Sequence, residues 1–158
     1  MVAGVEIERK FLVSGDFRPF VRKSCRICQG YLSTDEERTV RVRVCDDKGY
    51  LTIKGKTDER GMSRSEWEVE IPLEQAQVML GLCRRVIYKT RHLVDAGAHT
   101  FEVDEFNGEN AGLVVAEIEL VSEEEEFEKP SWLGREVTGD VRYYNSMLLR
   151  NPYRNWKL

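Results

Sequence analysis

The chain has 158 residues, 33% of them charged, and a formal net charge of −4. That length suits one domain able to bury a core without disulfide or metal staples, and the acidic balance, with its basic residues dispersed, makes nucleic acid an unexpected partner. The opening MVAGVEIERK lacks the apolar stretch of a signal peptide and no 18 apolar residues run together, so neither secretion nor membrane spanning is expected, and a cytoplasmic setting is.

From the N-terminal end, EIERKFLV sets Glu6, Glu8 and Lys10 two residues apart. Six further segments repeat the spacing: Arg41/Arg43, Lys54/Lys56, Glu66/Glu68/Glu70, Lys89/Arg91, Glu102/Asp104 and Glu117/Glu119. Each sits among β-favouring residues, and on a strand positions i and i+2 share one face. Seven strands with one charged face each are therefore expected. The interleaved residues are apolar: Val40, Val42 and Val44; Trp67, Val69 and Ile71; Ala116, Ile118 and Leu120. Two arrangements satisfy this pattern. One is an antiparallel sheet with a solvated charged face, its charges paired across strands. The other is a closed barrel with the charges inside. The dominance of Glu, Arg and Lys on that face, where Thr, Ser and Gln would otherwise mix in, favours the barrel.

Connections follow in order. DDKG at Asp46 to Gly49 and DAGA at Asp95 to Ala98 read as tight hairpin turns, and the polar TDERGMS at residues 57–63 as a loop at a barrel mouth. Helices are expected at LEQAQVMLGL from Leu73, at SEEEEFEK opened by Ser122 with Glu125 in capping-box position, and at DVRYYNSMLL from Asp140. Their apolar stripes would cover the barrel outside. The acids Glu123 to Glu126 then fall in a first helical turn, where they complement the dipole. Trp132, Trp156, Tyr143 and Tyr144 read as packing residues. No repeat or linker divides the chain, so residues 1–158 form one domain.

Three apparent motifs fail. Cys25 and Cys28 form a C-x-x-C, but Cys45 and Cys83 stand apart, whereas a four-cysteine zinc site needs two such pairs, so reduced thiols are expected. His92 and His99 lack a second histidine at ligand spacing and read as surface residues flanking a turn. GYLTIKGKT mimics a phosphate-binding loop, but five residues separate its glycines where four are required, and YLTIK reads as strand.

Enclosing the charged face brings nine acids against seven bases, and burying that many ions costs several kcal/mol each unless they are hydrated, paired or built around a ligand. Converging Arg and Lys make a polyanion cradle, with Arg forking to phosphate oxygens. Carboxylates beside it would repel the anion unless hard divalent cations bridge the two, and all-oxygen ligation suits Mg²⁺ or Mn²⁺.

The E-x-E-x-K at Glu6, Glu8 and Lys10 resembles the signature of the CYTH family, the triphosphate tunnel metalloenzymes. TVRVR, LTIKG, EWEVEIP, YKTR, FEVDEFNG, AEIELV and PSWLGREVTGD resemble further family blocks in the family's order, covering most of residues 5–149. The closest likeness is to the small bacterial single-domain branch that hydrolyses inorganic tripolyphosphate. The resemblance implies an α+β, mainly antiparallel fold: an eight-stranded closed tunnel with a charged interior and helices packed outside.

By the same resemblance, Glu6, Glu8, Glu117 and Glu119 would hold metal, with Glu68, Glu70 and Asp104 on the same acidic side, and Lys10, Arg41, Arg43, Lys54, Lys89 and Arg91 would grip phosphates. Lys89, Glu117, Glu119 and Tyr31 form the implied catalytic set, with Tyr31 hydrogen-bonding Lys89 or substrate, or else packing at the barrel rim. Lys56, Glu66 and Glu102 fit the alternation but match the family less closely. Two ions of Mg²⁺ or Mn²⁺ are the implied cofactor, and a small triphosphate the ligand. Thiamine triphosphate hydrolysis, ATP cyclisation of the class IV adenylate cyclase type and non-catalytic polyphosphate binding stay open, as does a homodimer.

Overall fold

A computed structural model describes residues 4–156. Its strands are β1 (Gly4–Val13), β2 (Val21–Ser33), β3 (Thr39–Cys45), β4 (Lys48–Lys54), β5 (Ser63–Ile71), β6 (Val86–Ala96), β7 (His99–Phe106), β8 (Val114–Glu119) and β9 (Leu133–Glu136), with helices α1 (Leu73–Leu82) and α2 (Asn145–Leu148). All pairings are antiparallel, in the order β5-β4-β3-β2-β6-β7-β8-β1-β9. A further pairing of β1 with β5, Glu6 opposite Arg64, closes eight strands into a barrel. β9 adds to the far end of β1. The expected eight-stranded barrel is thus present, and its charged face points inward: Glu6, Lys10, Arg41, Lys54, Lys89 and Asp104 are all buried.

The charge spacing reveals neither the short β9 nor, within the barrel, β2, the longest strand. Its buried positions Ile27 and Gln29 are uncharged, so the two-apart rule passes over it.

Outside, the apolar face is covered in two ways. α1 lies over β3 and β4, where Ala76 is fully buried. Its methyl sits where a side chain on Gly49 would be, 2.6 Å from an ideal Cβ there, so glycine is required for that close approach. Over β1, β6, β7 and β8 the cover is irregular chain: Phe17 and Trp132 pack into a cluster with Phe11, Val94, Phe101, Val103, Ala116 and Ile118. Over β5, by contrast, Trp67 and Val69 remain 48% and 52% exposed, so the expected helical cover does not extend there.

One expected helix is absent and another is broken. Residues 122–129 form turns and coil. Eight residues before Pro130 are too few for a helix to hold itself, and tertiary partners take the side chains instead. Glu125 Oε1 accepts from the Val121 N–H at 2.7 Å and its other oxygen meets His99. Glu123 pairs with Ser63 and Arg60, and Phe127 packs on Phe11 and Phe101. The stretch from Asp140 is likewise no continuous helix. A 3₁₀ turn at Val141–Tyr143, begun by Asp140 accepting from the Arg142 N–H, gives way to extended backbone at Tyr144 and then to α2. That break turns Tyr144 and Asn145 toward the barrel interior.

Of the two histidines, His99 flanks the turn between β6 and β7 as expected, whereas His92 does not. His92 lies within β6, 5.3 Å from the Phe17 ring, with Ser24 at Nδ1 and Glu105 at Nε2, each 2.7 Å away. His99 opens β7 against Phe127. Both tie strands to the outer cover.

Candidate active site

The largest convergence of charge is a cavity lined by Glu6, Glu8, Lys10, Tyr31, Arg41, Lys54, Lys89, Arg91 and Glu117. Strand alternation sends these side chains inward, and barrel closure brings them together from β1, β2, β3, β4, β6 and β8. The loop at residues 57–63 borders the same opening through Thr57, Gly61 and Met62, as expected for a mouth loop.

Through the barrel interior, acids and bases are paired. Lys54 Nζ lies 2.9 Å from Glu6 Oε2, and Lys10 Nζ lies 3.4 Å from Glu117 Oε1. Asp104 is gripped twice: Lys89 Nζ donates to Oδ2 at 2.8 Å, and Arg91 forks onto both oxygens at 2.8 and 3.0 Å. Arg91 also donates to Glu102 at 2.8 Å. Glu68 accepts from Thr52 at 2.8 Å and from Arg43 at 3.3 Å.

Titration follows from this crowding. Burial dominates at Lys89 and draws its ammonium down to about 8 in spite of Asp104. At Arg43 burial, then Arg41 and Arg91, bring the guanidinium down to about 10. At Lys10 burial is opposed by Glu117 and Glu8, and the net displacement is upward. Asp104 is held below the usual carboxylate range, because Arg91 and Lys89 together outweigh its burial. Glu119 is pushed up, by the partial withdrawal of its carboxyl from water and then by the negative charge of Glu6, Glu102 and Glu8.

Not every anticipated residue reaches this cavity. Arg43 and Glu68 line a second opening, with Glu102 and Arg91, and Arg91 borders both. Glu119 is exposed at the end of β8, opposite Glu8. Glu70 is exposed on β5 opposite Tyr50, and Lys56 is exposed beyond the end of β4. Of the alternatives for Tyr31, the bond to Lys89 is not formed: the ammonium's partners are Asp104 and Asn145, at 2.8 and 2.9 Å, while Tyr31 lines the same cavity.

Several residues come into the site without having been anticipated. Arg64 lines the cavity, and it shares strand parity with Glu66, Glu68 and Glu70, so the two-apart rule could have found it. Glu102, set aside on sequence, ties Arg91 and crowds Glu119. Tyr144, taken as packing, lines the cavity with Lys10 Nζ 5.2 Å from its ring centre. Asn145 Oδ1 accepts from both Lys89 and fully buried Gln29, each at 2.9 Å. No local signal marks these last two, because they arrive through the break at Tyr144.

The chemistry of the donors suits a hard divalent ion, although among the described residues no three of these carboxylates bring oxygens within 4.8 Å of one another. Glu6, Glu8, Glu117 and Glu119 offer only carboxylate oxygens, and the upward displacement of Glu119 by its acidic neighbours is a repulsion that a cation relieves.

The comparisons agree with this geometry. The CYTH domain model matches residues 4–145. An inorganic triphosphatase of Acetivibrio thermocellus is 53% identical over 156 residues, covering 98% of this chain and 99% of that protein. One of Nitrosomonas europaea is 36% identical over 150 residues, covering 90% and 95%. A crystal structure of an inorganic triphosphatase superposes with a TM-score of 0.65 at 32% identity, covering 90% of this chain and 96% of its own. A charged tunnel closed by eight antiparallel strands, matched along nearly its whole length, places this chain in the CYTH family, whose triphosphate tunnel enzymes depend on metal.

Proposed function

We propose that this protein hydrolyses inorganic tripolyphosphate to pyrophosphate and orthophosphate in the tunnel, with two Mg²⁺ or Mn²⁺ ions at Glu6, Glu8, Glu117 and Glu119. The observation that carries this reading is the enclosure of Lys10, Arg41, Lys54, Lys89 and Arg91 in one cavity with Glu6, Glu8 and Glu117. The names of the two relatives support the substrate.

Bound divalent ions supply charge neutralisation and bring a water's pKa toward neutrality. The chain's own groups do the rest. Lys10, Arg41, Lys54, Lys89 and Arg91 hold phosphate oxygens, and Arg43, deeper in the barrel, takes the far phosphate. Lys10 and Lys54 trade Glu117 and Glu6 for substrate oxygens, and those pairs keep both ammonium groups in place until substrate enters. Such preorganised positive charge favours the in-line transfer of a terminal phosphoryl group to water. Asp104 keeps Lys89 and Arg91 charged and aimed. Tyr144 and α2 cover one side of the cavity against bulk water.

The test incubates purified protein with tripolyphosphate, pyrophosphate, ATP or thiamine triphosphate, with Mg²⁺, Mn²⁺ or chelator, following orthophosphate and cyclic AMP. Metal-dependent phosphate release, fastest from tripolyphosphate and lost in Glu117→Gln, is the expected outcome. Release that persists in chelator would refute the mechanism. Faster hydrolysis of thiamine triphosphate, or cyclic AMP formation, would reassign the substrate.

A further inference from the structure

The C-x-x-C of the sequence is split by the fold. Three residues apart on β2, Cys25 and Cys28 fall on opposite faces of the sheet. Cys28 lies near Tyr88 and Cys83, whereas Cys25 faces the second opening. There it meets Cys45, which the β2–β3 register sets opposite Ile27, two residues from Cys25 and on the same face. The two sulfurs are 2.9 Å apart.

Asp46 completes a trio. It begins the tight turn between β3 and β4 with φ of 54°, held there by its N–H donating to the Arg26 carbonyl at 3.0 Å and by Oδ1 accepting from the Arg26 N–H at 3.1 Å. That anchoring fixes the carboxylate beside the thiols. Ligand atoms of Cys25, Cys45 and Asp46 all lie within 4.8 Å of one another, the one such trio among the described residues. They line a cavity of about 420 Å³ that also admits Arg43, Glu68 and Glu102.

We propose that Cys25, Cys45 and Asp46 form a binding site for a thiophilic divalent cation such as Zn²⁺ or Cd²⁺, at the opening opposite the proposed catalytic cavity. Two sulfurs and one oxygen leave a fourth tetrahedral position for water. Zinc–sulfur bonds of about 2.3 Å put two sulfurs about 3.7 Å apart, so the thiols separate by under an ångström on binding. The ligands sit at the end of β3 and in the turn that follows it, with Cys25 on the neighbouring strand. An ion therefore clips the β3–β4 hairpin to β2.

Burial, then the Cys45 and Asp46 neighbours, push the Cys25 thiol up to about 12, and a protonated thiol attacks peroxide slowly. A cation binding between the two sulfurs and the Asp46 carboxylate displaces the thiol protons.

The experiment titrates the reduced full-length protein with Cd²⁺, in phosphate-free buffer, and follows the ultraviolet charge-transfer band of thiolate to metal. That band is silent for the carboxylates of the tunnel. One ion per chain is expected to saturate it in the wild type, in Glu117→Gln and in the Cys28→Ser/Cys83→Ser double variant. Cys25→Ser and Cys45→Ser each lose it, and Asp46→Asn weakens binding at least tenfold. Zn²⁺ raises the melting temperature of the double variant more than that of Cys45→Ser, while far-ultraviolet circular dichroism checks that each variant is folded. A band that survives Cys25→Ser, one that disappears with Cys28 and Cys83, or no band in a protein whose thiols titrate as free would overturn the proposal. So would a peroxide-formed Cys25–Cys45 disulfide in a protein that binds neither metal.

Discussion

Lys89 Nζ and Asp104 Oδ2 are 2.8 Å apart, with side chains 1% and 2% exposed. A pair so completely withdrawn from water is stable only while both members remain, since removing one leaves a buried charge without its counterpart. Asp104→Ala is therefore expected to destabilise the fold by about 3–5 kcal/mol, read as a lower denaturant midpoint. Lys89→Met on the Asp104→Ala background recovers part of that loss, while tripolyphosphate turnover stays abolished. If the double variant is no more stable than Asp104→Ala, the pairing does not govern stability here.

Glu119 predicts a pH dependence. Its folded-state pKa lies above the ordinary value of 4.5, from burial and then from Glu6, Glu102 and Glu8. The folded state therefore binds the proton more tightly than the unfolded chain, and metal-free stability falls as pH rises from 4.5 through the folded value. Glu119→Gln should flatten that part of the stability curve and leave the metal-free melting temperature at neutral pH unchanged or higher. Turnover with Mg²⁺ or Mn²⁺ should be lost in the same variant.

Divalent ions should stabilise the fold against the same repulsion. At about one hundred times its dissociation constant a ligand specific for the folded state adds about 2.7 kcal/mol. Thermal melts in Mg²⁺ or Mn²⁺ are expected above those in chelator, and the difference should shrink in Glu6→Gln and Glu117→Gln. Equal melts with and without metal would contradict carboxylate ligation.

Asn145 joins the C-terminal segment to the barrel through one oxygen that serves both Lys89 and Gln29. Asn145→Ala leaves the buried Gln29 amide without its acceptor, at a cost of about 1–3 kcal/mol. It also frees Lys89 from one of its two partners. Reduced stability together with reduced turnover is expected, whereas wild-type turnover would confine Asn145 to a structural role.

On the outer surface Arg18 forks onto Glu105 with both contacts at 2.8 Å, and holds that carboxyl, together with His92 and against partial burial, down at about 2. A depressed folded-state value gives stability that is present above 4.5 and lost as pH falls toward 2. Solvent screening makes the effect small for such an exposed group. Arg18→Ala should lower the unfolding midpoint at neutral pH slightly and converge with the wild type in acid.

Much of the barrel was legible because strands with one charged and one apolar face carry their own period. TVRVRV and AEIEL display it without help from the rest of the chain. β2 was illegible because its inward residues Ile27 and Gln29 carry no charge, and its neighbours on both sides supply the pairing that makes it a strand. The expected helix at residues 122–129 failed for a related reason. A capping pattern specifies only local hydrogen bonds, and the partners of Glu123, Glu125 and Phe127 come from residues far away in sequence.

The sequence by itself determined which side chains share a face, since alternation is a property of the extended backbone, and hence that acids and bases would lie on common surfaces. Only tertiary structure decided that this surface is an interior. The pairing of Glu6 with Arg64 across β1 and β5 closes the sheet, and closure is a contact between strands some sixty residues apart that no local pattern encodes. The same holds for Tyr144 and Asn145 entering the cavity, and for Cys25 meeting Cys45 in place of Cys28. Each depends on register between elements, which is set by how the whole barrel packs.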